Sequence, residues 1–245
     1  MTDRRFVVGA LAATLLGGLA APAAAQDWRT MAVSRQFSGQ AHLDVALSHV
    51  AGTLRLSPSE GSMLYAMDLS YDADLFDPVA DFDGDDLALG VESRGRDIRL
   101  KKDRQAAEMD VELSTRVPME LSLEFGAGRA EVDLGGLRLT DLDIQTGASE
   151  TRLDVSRPNP EGLDEARIAV GAAQFDARRL GNLNVRHLSV EAGVGEVTLD
   201  LTGELRRDLD IEVDMGLGAL ELRIPRGIGV KLVKESFLTD LDAPE

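Results

Sequence analysis

Apolar and polar residues alternate along most of the chain after residue 40, in segments that repeat about every 21 residues. The clearest copies are LSLEFGAGRAEVDL (121–134), LDIQTGASETRLDV (142–155), LSVEAGVGEVTLDL (188–201) and LDIEVDMGLGALEL (209–222). Weaker copies lie at 166–179, 43–56 and 87–100. The last five copies begin at 121, 142, 166, 188 and 209, in steps of 21, 24, 22 and 21 residues. Such a period is typical of a fold that is built from stacked equivalent units.

The alternation within each copy predicts β-strands with one buried face. Positions one, three and five of the seven copies hold 21 residues, of which 20 are apolar and Thr146 is the exception. A period of two places these residues on one side of a strand. Position six is glycine in four copies, namely Gly126, Gly147, Gly171 and Gly193. Each copy is therefore interpreted as strand, glycine turn, strand and short connection.

Two all-β architectures fit this pattern. Each copy could form one coil of a β-solenoid, stacked in register on the next coil, or its two strands could form a hairpin of an antiparallel meander or barrel. Equal units favour the solenoid, because a meander has no need of them. We predict a single-domain β-solenoid of ~21-residue coils over residues 41–233, with room for one more unit near Leu64. Residues 26–40 would form a lead-in segment before this domain. Residues 234–245 would form an acidic tail whose Phe237 and Leu238 cover the last coil.

The repeats carry a resemblance to a known family. The segment VPMELSLEFGAGRAEVDLGGLRLTDLDIQTGASETRLDV (117–155) resembles the toast-rack family of bacterial envelope domains, and AGTLRLSPSEGSMLYAMDLSYD (51–72) resembles its amino-terminal portion. That family is similar to adhesin-type β-solenoid domains and to the soluble part of LiaF-type cell-wall stress proteins. The resemblance implies a β-solenoid envelope domain with no family catalytic residues. The chain lacks the transmembrane bundle of LiaF-type proteins, which argues against a direct role in sensing membrane stress.

Residues 1–25 have the pattern of a secretion signal. Arg4 and Arg5 precede the apolar run FVVGALAATLLGGLAA, and Ala23 to Ala25 supply small residues before Gln26. The apolar run is too short and too rich in glycine and alanine for a membrane anchor, which needs roughly 20 residues. The two arginines are compatible with either general or twin-arginine export. We expect a periplasmic or secreted protein without a transmembrane segment in its mature chain.

Charge and composition exclude several function classes. The 245 residues include no cysteine and carry a net charge of −17, so phosphate-driven nucleic-acid binding and disulfide-stapled folds are not expected. Outward position thirteen forms a ladder of Asp133, Asp154, Arg178, Asp200 and Glu221. An acidic strip of this kind could take up Ca²⁺, although a solvated face is the simpler interpretation. The loop DPVADFDGDD (77–86), with Asp81, Asp83 and Asp85, departs from the EF-hand spacing and is expected to be a polar connection.

Catalytic patterns are absent from the sequence. His42 and His49 are placed at the two ends of a strand at 43–47, His187 stands alone, and two histidines without a third ligand make a poor metal site. Carbohydrate clefts usually present exposed aromatic residues, whereas the chain has only Trp28, Tyr65, Tyr71 and seven phenylalanines. We therefore assign no catalytic, cofactor-binding or metal-ligating residue and expect no cofactor.

The function that we expect is that of a non-catalytic, exported scaffold or interaction module. Its partner would be a protein or another envelope component, and self-association is possible through the ends of the solenoid. Binding of Ca²⁺, or of cationic or polysaccharide ligands, on the acidic face is the alternative hypothesis. A carbohydrate-active enzyme is the third, because parallel β-helices can carry paired carboxylates on an outer groove.

Overall fold

A computed structural model describes residues 27–95, 106–231 and 233 as an almost entirely β structure. Eleven strands form one continuous sheet, and the described residues include one 3₁₀ turn, at Leu180–Leu183. In chain order the strands are β1 (Trp28–Gln36), β2 (Leu43–Ser59), β3 (Met63–Asp72), β4 (Phe76–Asp83), β5 (Asp86–Ser93), β6 (Ala107–Ser114), β7 (Pro118–Asp133), β8 (Arg138–Asp154), β9 (Leu163–Arg178), β10 (Val185–Asp200) and β11 (Asp210–Arg223).

Six long strands stack in parallel, in the order β2, β7, β8, β9, β10 and β11. Leu121 pairs with Leu142, Leu142 with Ala166, Ala166 with Leu188, and Leu188 with Ile211. Equivalent residues thus follow each other from coil to coil, which confirms the predicted β-solenoid and excludes the antiparallel barrel for this part of the chain. The predicted start of the last copy, residue 209, is two residues early, because Ile211 is the partner of Leu188. The copy predicted at 43–56 is also two residues early, because Val45, not Leu43, is the partner of Leu121.

Each coil is one long bent strand. The interpretation of each copy as two strands joined by a glycine turn is therefore wrong on this point. The bend follows a column of glycines at position six, which gains a fifth member in the corrected register: Gly126, Gly147, Gly171, Gly193 and Gly216. A Cβ atom on Gly147 would lie 2.2 Å from the carbonyl oxygen of Gly126, so the close approach of successive coils requires glycine there. Gly128, two residues after the column, has φ +121° and redirects the strand.

The bend divides each long strand into a first arm before the glycine column and a second arm after it. Inward side chains from both arms join one hydrophobic core, in which Phe125 and Phe175 are among the largest fully buried groups. The side chains on the opposite faces of both arms point to solvent, in keeping with the alternating burial along the strands. The pattern that was counted in the sequence is therefore the core side of a two-armed coil.

The amino-terminal part of the sheet departs from the repeat. The first arm of β2 pairs in parallel with β5, and its second arm pairs in parallel with β6, so these two short strands together occupy the place of one coil. The predicted copy at 87–100 is therefore only half correct, since its first half is β5 and residues 96–105 lie outside the described part. The additional unit allowed near Leu64 is wrong, because β3 pairs antiparallel with β1 and β6. β1 lies within the segment 26–40.

Buried asparagines connect the loops that follow successive coils. The side-chain amide of Asn159 donates to the carbonyl oxygens of Leu139 (3.0 Å) and Leu183 (3.2 Å). Its side-chain oxygen accepts from the backbone N–H groups of Leu139 (3.1 Å) and Glu161 (3.2 Å). Asn182 makes similar side-chain bonds to backbone groups one loop later. Since buried backbone groups need partners, these side chains fix the spacing between neighbouring loops.

At the carboxyl end of the stack, no further strand of the described part of the chain pairs with β11. β11 pairs with β10, and the inward-facing residues of β11 are only partly covered. Leu220, whose equivalent on β10 is the buried Val197, is 40% exposed, which is unusual for a core position of a repeat. The predicted cover, Phe237 and Leu238, lies outside the described residues.

Candidate functional site

The ladder at position thirteen is mixed in charge. Asp133 lies beside Asp154, Asp154 beside Arg178, and Asp200 beside Arg223. The prediction that Glu221 is the last member is wrong, because the final coil is shifted by two residues. The carboxylate of Asp154 is paired with Arg179. These contacts leave no continuous acidic strip at this position for a cation to occupy.

The outer face of the second arm carries further balanced pairs. Arg55 contacts Asp110 at 3.0 Å, Arg129 contacts Glu150 at 2.9 Å, and the same Glu150 accepts from Arg152 at 2.6 Å. The hydrogen bond from Arg55 to Asp110 raises the pKa of that arginine above its usual value. Because opposite charges alternate across neighbouring strands, this face presents little net charge to a ligand.

The outer face of the first arm is strongly acidic. Its guanidinium groups are those of Arg138, Arg167 and Arg186, and each lies beside a carboxylate: Glu161, Glu165 at 2.6 Å and Asp164 at 3.5 Å, respectively. We call this surface the acidic face. Its carboxylates are Asp44, Glu120, Glu124, Asp141, Asp143, Glu165, Glu191, Asp210, Glu212 and Asp214.

A groove of about 1020 Å³ crosses this face along the glycine column. Three consecutive residues from each of β2, β7, β8, β9, β10 and β11 line it: 48–50, 124–126, 145–147, 169–171, 191–193 and 214–216. The column glycines leave the groove without side chains along one side. Glu124, Glu191 and Asp214 provide carboxylates at its border, and none of the lining residues is lysine or arginine.

Two buried polar groups lie on the core side of the strands beneath this groove. His49 is 1% exposed and stacks on Phe125, with ring centroids 5.8 Å apart and planes 8° apart. Thr146, next to Phe125 in the register, is 6% exposed. Neither the ring nitrogens of His49 nor the Thr146 hydroxyl has a hydrogen-bond partner among the residues that the structure describes. Such groups are rare in protein interiors, where an unsatisfied polar atom costs about 1–3 kcal/mol.

Burial also sets the protonation state of His49. Removal from solvent lowers the pKa of its imidazole to about 4, because the charged form is poorly solvated there. His49 is therefore neutral near pH 7. It lies in the middle of β2, so the prediction that it stands at the end of a strand at 43–47 is wrong.

One group of possible metal ligands lies at the edge of the acidic face. The Nε2 atom of His42 is 2.7 Å from an oxygen of Asp44 and 3.8 Å from an oxygen of Glu120. Within the described ranges, these three residues are the one group whose ligand atoms lie within 4.8 Å of one another. His42 was a candidate from the sequence, whereas its partners Asp44 and Glu120, the latter from a different coil, were not predicted.

The other candidate residues are not brought together. Asp81 and Asp83 lie on β4, and Asp85 lies in the two-residue turn that joins β4 to β5, so the acidic loop is a β-hairpin with exposed side chains. The carbonyl oxygen of Asp85 accepts from the backbone N–H of Asp44 at 2.8 Å. His187 lies on β10, 3.7 Å from Asp210.

The aromatic candidates belong to the amino-terminal strands. Tyr65 and Tyr71 are buried on β3, and Trp28 begins β1. The deep burial of both tyrosines leaves them no aromatic surface to offer a sugar ring.

Comparison with known proteins identifies the family. The family model described as the N-terminal domain of toast_rack, DUF2154, matches residues 24–177 and 163–223. The chain belongs to the toast-rack family. Among curated proteins, none matches this toast-rack chain. The structural likeness extends to a "putative cell adhesion protein" from Clostridium sporogenes, at 14% identity and a TM-score of 0.57, over 80% of this chain and 99% of that one.

A second solved structure is similar over the same share of the toast-rack chain. It is a "putative adhesin" from Bacteroides fragilis, at 7% identity and a TM-score of 0.32, over 80% of this chain and 97% of that one. At such identities the structural likeness concerns the fold. The helical turn Leu180–Leu183 is short, and no helix in the described part of the toast-rack chain has the length and apolarity to cross a membrane.

Proposed function

We propose that this toast-rack chain is an exported, non-catalytic interaction module that binds a protein or another envelope component through the groove of its acidic face. The observation that carries the proposal is the groove itself, since it combines unpaired carboxylates with a column of glycines that leaves its surface without side chains. The paired charges of the second arm offer no comparable surface. The family and the adhesin-type neighbours support an interaction role, and the signal-like residues 1–25 support export.

Site-specific photocrosslinking tests this proposal. A photoreactive amino acid replaces Gln145, which is exposed in the groove, and a matched substitution replaces Gln174, which is exposed on the second arm of the neighbouring coil. In intact cells we expect a discrete crosslinked species from position 145 and none from position 174. An excess of purified wild-type domain should compete for that species. Equal crosslinking at both positions, or none at position 145, would contradict a role for the groove.

Binding of a divalent cation is the second candidate, favoured by the cluster of His42, Asp44 and Glu120. A nitrogen ligand beside two carboxylates suits Zn²⁺ better than Ca²⁺, which prefers oxygen ligands. Bound metal should raise the melting temperature as its concentration rises, and His42→Ala should abolish the rise caused by Zn²⁺. A melting temperature that changes with neither Zn²⁺ nor Ca²⁺ would exclude this candidate.

A further inference from the structure

The groove has the length of a short extended peptide. It crosses six strands, and neighbouring strands lie about 4.8 Å apart, so it extends over roughly 24 Å. An extended polypeptide advances about 3.4 Å per residue, so roughly seven residues would fill it. Because the column glycines carry no side chain, the backbone of such a peptide can approach the sheet closely there.

The carboxylates of the groove set its charge pattern. Glu191 and Asp214 are neighbours on adjacent strands, and Glu124 lies three strands away from Glu191. None of the three makes an ion pair with any residue that the structure describes. Three strand spacings amount to about 14 Å. The groove therefore presents one negative centre near Glu124 and a second, doubly charged one at Glu191 and Asp214.

The spacing of these two centres matches an extended chain. Residues four apart on such a chain are separated by about 13.6 Å, and an even separation places both side chains on the same side. Between the centres lie Gln145 and Ala169, which carry no charge. A ligand with cationic side chains at positions i and i+4 and small residues between them would satisfy both centres at once.

Building on the proposed function, we infer that the partner segment is an extended basic peptide with lysine or arginine side chains four residues apart. Such a peptide would contact the carboxylates of Glu124, Glu191 and Asp214 and the glycine column, which carries no side chains. A polysaccharide fits less well, because Phe125, the aromatic ring among the lining residues, is only 2% exposed. Nucleic acid is disfavoured by the negative charge of the whole face.

Calorimetric titration with defined peptides tests the inference. The probe is acetyl-Gly-Lys-Gly-Ser-Gly-Lys-Gly-amide, and its matched isomer has the second lysine moved to position 5, which points the two lysines to opposite sides. We expect the probe to bind the mature chain about fivefold more tightly than the isomer at low salt. Binding should weaken as salt rises, because the contacts are charged and exposed.

Two charge-matched variants locate the binding site. The groove variant combines Glu124→Gln, Glu191→Gln and Asp214→Asn, and we expect it to weaken binding of the probe by about tenfold. We expect the groove variant to fold like the wild type, since these carboxylates make no ion pair with a described residue.

The control variant removes the same charge from the acidic face outside the groove, through Asp141→Asn, Asp210→Asn and Glu212→Gln. We expect it to weaken binding by less than about threefold. Equal weakening by both variants would show diffuse attraction to the face and would overturn the inference, as would equal affinity for the two peptides.

A further probe separates the classes of ligand. A chitosan oligosaccharide of similar length carries amines on a sugar backbone, and tighter groove-dependent binding of this probe would replace the peptide by a cationic polysaccharide. If neither probe binds while crosslinking at position 145 persists and is lost in the groove variant, the basic peptide is wrong and the interaction module stands. If crosslinking at position 145 is also absent, the proposed function itself is wrong.

Discussion

The buried imidazole of His49 should make the protein less stable in mild acid. In the unfolded chain its pKa is near the ordinary 6.5, whereas in the folded chain burial lowers the pKa to about 4. Between about pH 6.5 and pH 4, the His49 imidazole is therefore protonated in the unfolded state but not in the folded state. The free energy of unfolding falls as the pH decreases from 6.5, and this loss levels off below pH 4. Between pH 8 and pH 5 it amounts to about 2 kcal/mol.

Substitution by leucine isolates this contribution. His49→Leu keeps a side chain of similar volume against Phe125 and removes the titrating group. We expect the variant to be at least as stable as wild type at pH 7, because two unsatisfied buried nitrogens are replaced by apolar atoms. At pH 5 the difference should widen by about 2 kcal/mol in favour of the variant. Carboxylates titrate in both proteins, so their effect cancels in the comparison.

Urea unfolding followed by circular dichroism, repeated from pH 8 to pH 4.5, measures both curves. Parallel curves for wild type and His49→Leu, differing by less than about 0.5 kcal/mol in their pH dependence, would refute the reasoning. An independent readout is the NMR titration of the His49 ring in the folded protein. It should remain neutral at pH 5.5, and a midpoint near 6.5 would show that the ring is solvated.

Three further predictions address the fold and export. Gly126→Ala should destabilise the protein by roughly 3 kcal/mol or more in thermal unfolding, since its Cβ would lie 2.2 Å from a backbone oxygen. The matched change Gly61→Ala, whose Cβ would lie 3.9 Å from the Ser59 hydroxyl, should change stability by less than about 0.5 kcal/mol. Asn159→Leu should cost about 3 kcal/mol or more in urea unfolding because four hydrogen bonds to buried backbone groups are lost, and an effect below about 1 kcal/mol would contradict that role. Intact mass of the secreted protein should show a chain that begins at Gln26, and retention of residues 1–25 would disprove the cleaved signal.

The repeat could be predicted from the sequence, but its register could be predicted only in part. Apolar residues alternate at 209, 211, 213 and 215, so a shift of two residues keeps every side chain on the same face. The glycine decides between the two registers, because only a start at 211 brings Gly216 into the column. That shift also replaces Glu221 by Arg223 in the charge ladder. A period of two thus fixes which face is buried and leaves the pairing partner open.

The groove could not be predicted, because the sequence gives no sign that the strand continues through the glycine. A glycine between two alternating segments is compatible with a turn or with a bend, and the choice depends on the hydrogen bonds to the next coil. The deviation at Thr146 was visible as the one polar residue in an apolar set. With His49, it could have marked position five as unusual. The antiparallel pairing of β3 was equally hidden, since alternation does not specify strand direction.

The partly covered core side of β11 gives the stack a mechanical polarity. β11 is held to the rest of the sheet by β10, and its core side is half covered, so it is the least firmly attached coil among those described. Tension applied to the carboxyl terminus would peel coils one at a time from this end, in the order β11, β10 and β9. Each released coil of about 22 residues would lengthen the chain by roughly 75 Å. A domain built this way would extend in steps under load, while the coils nearer the amino terminus stay folded.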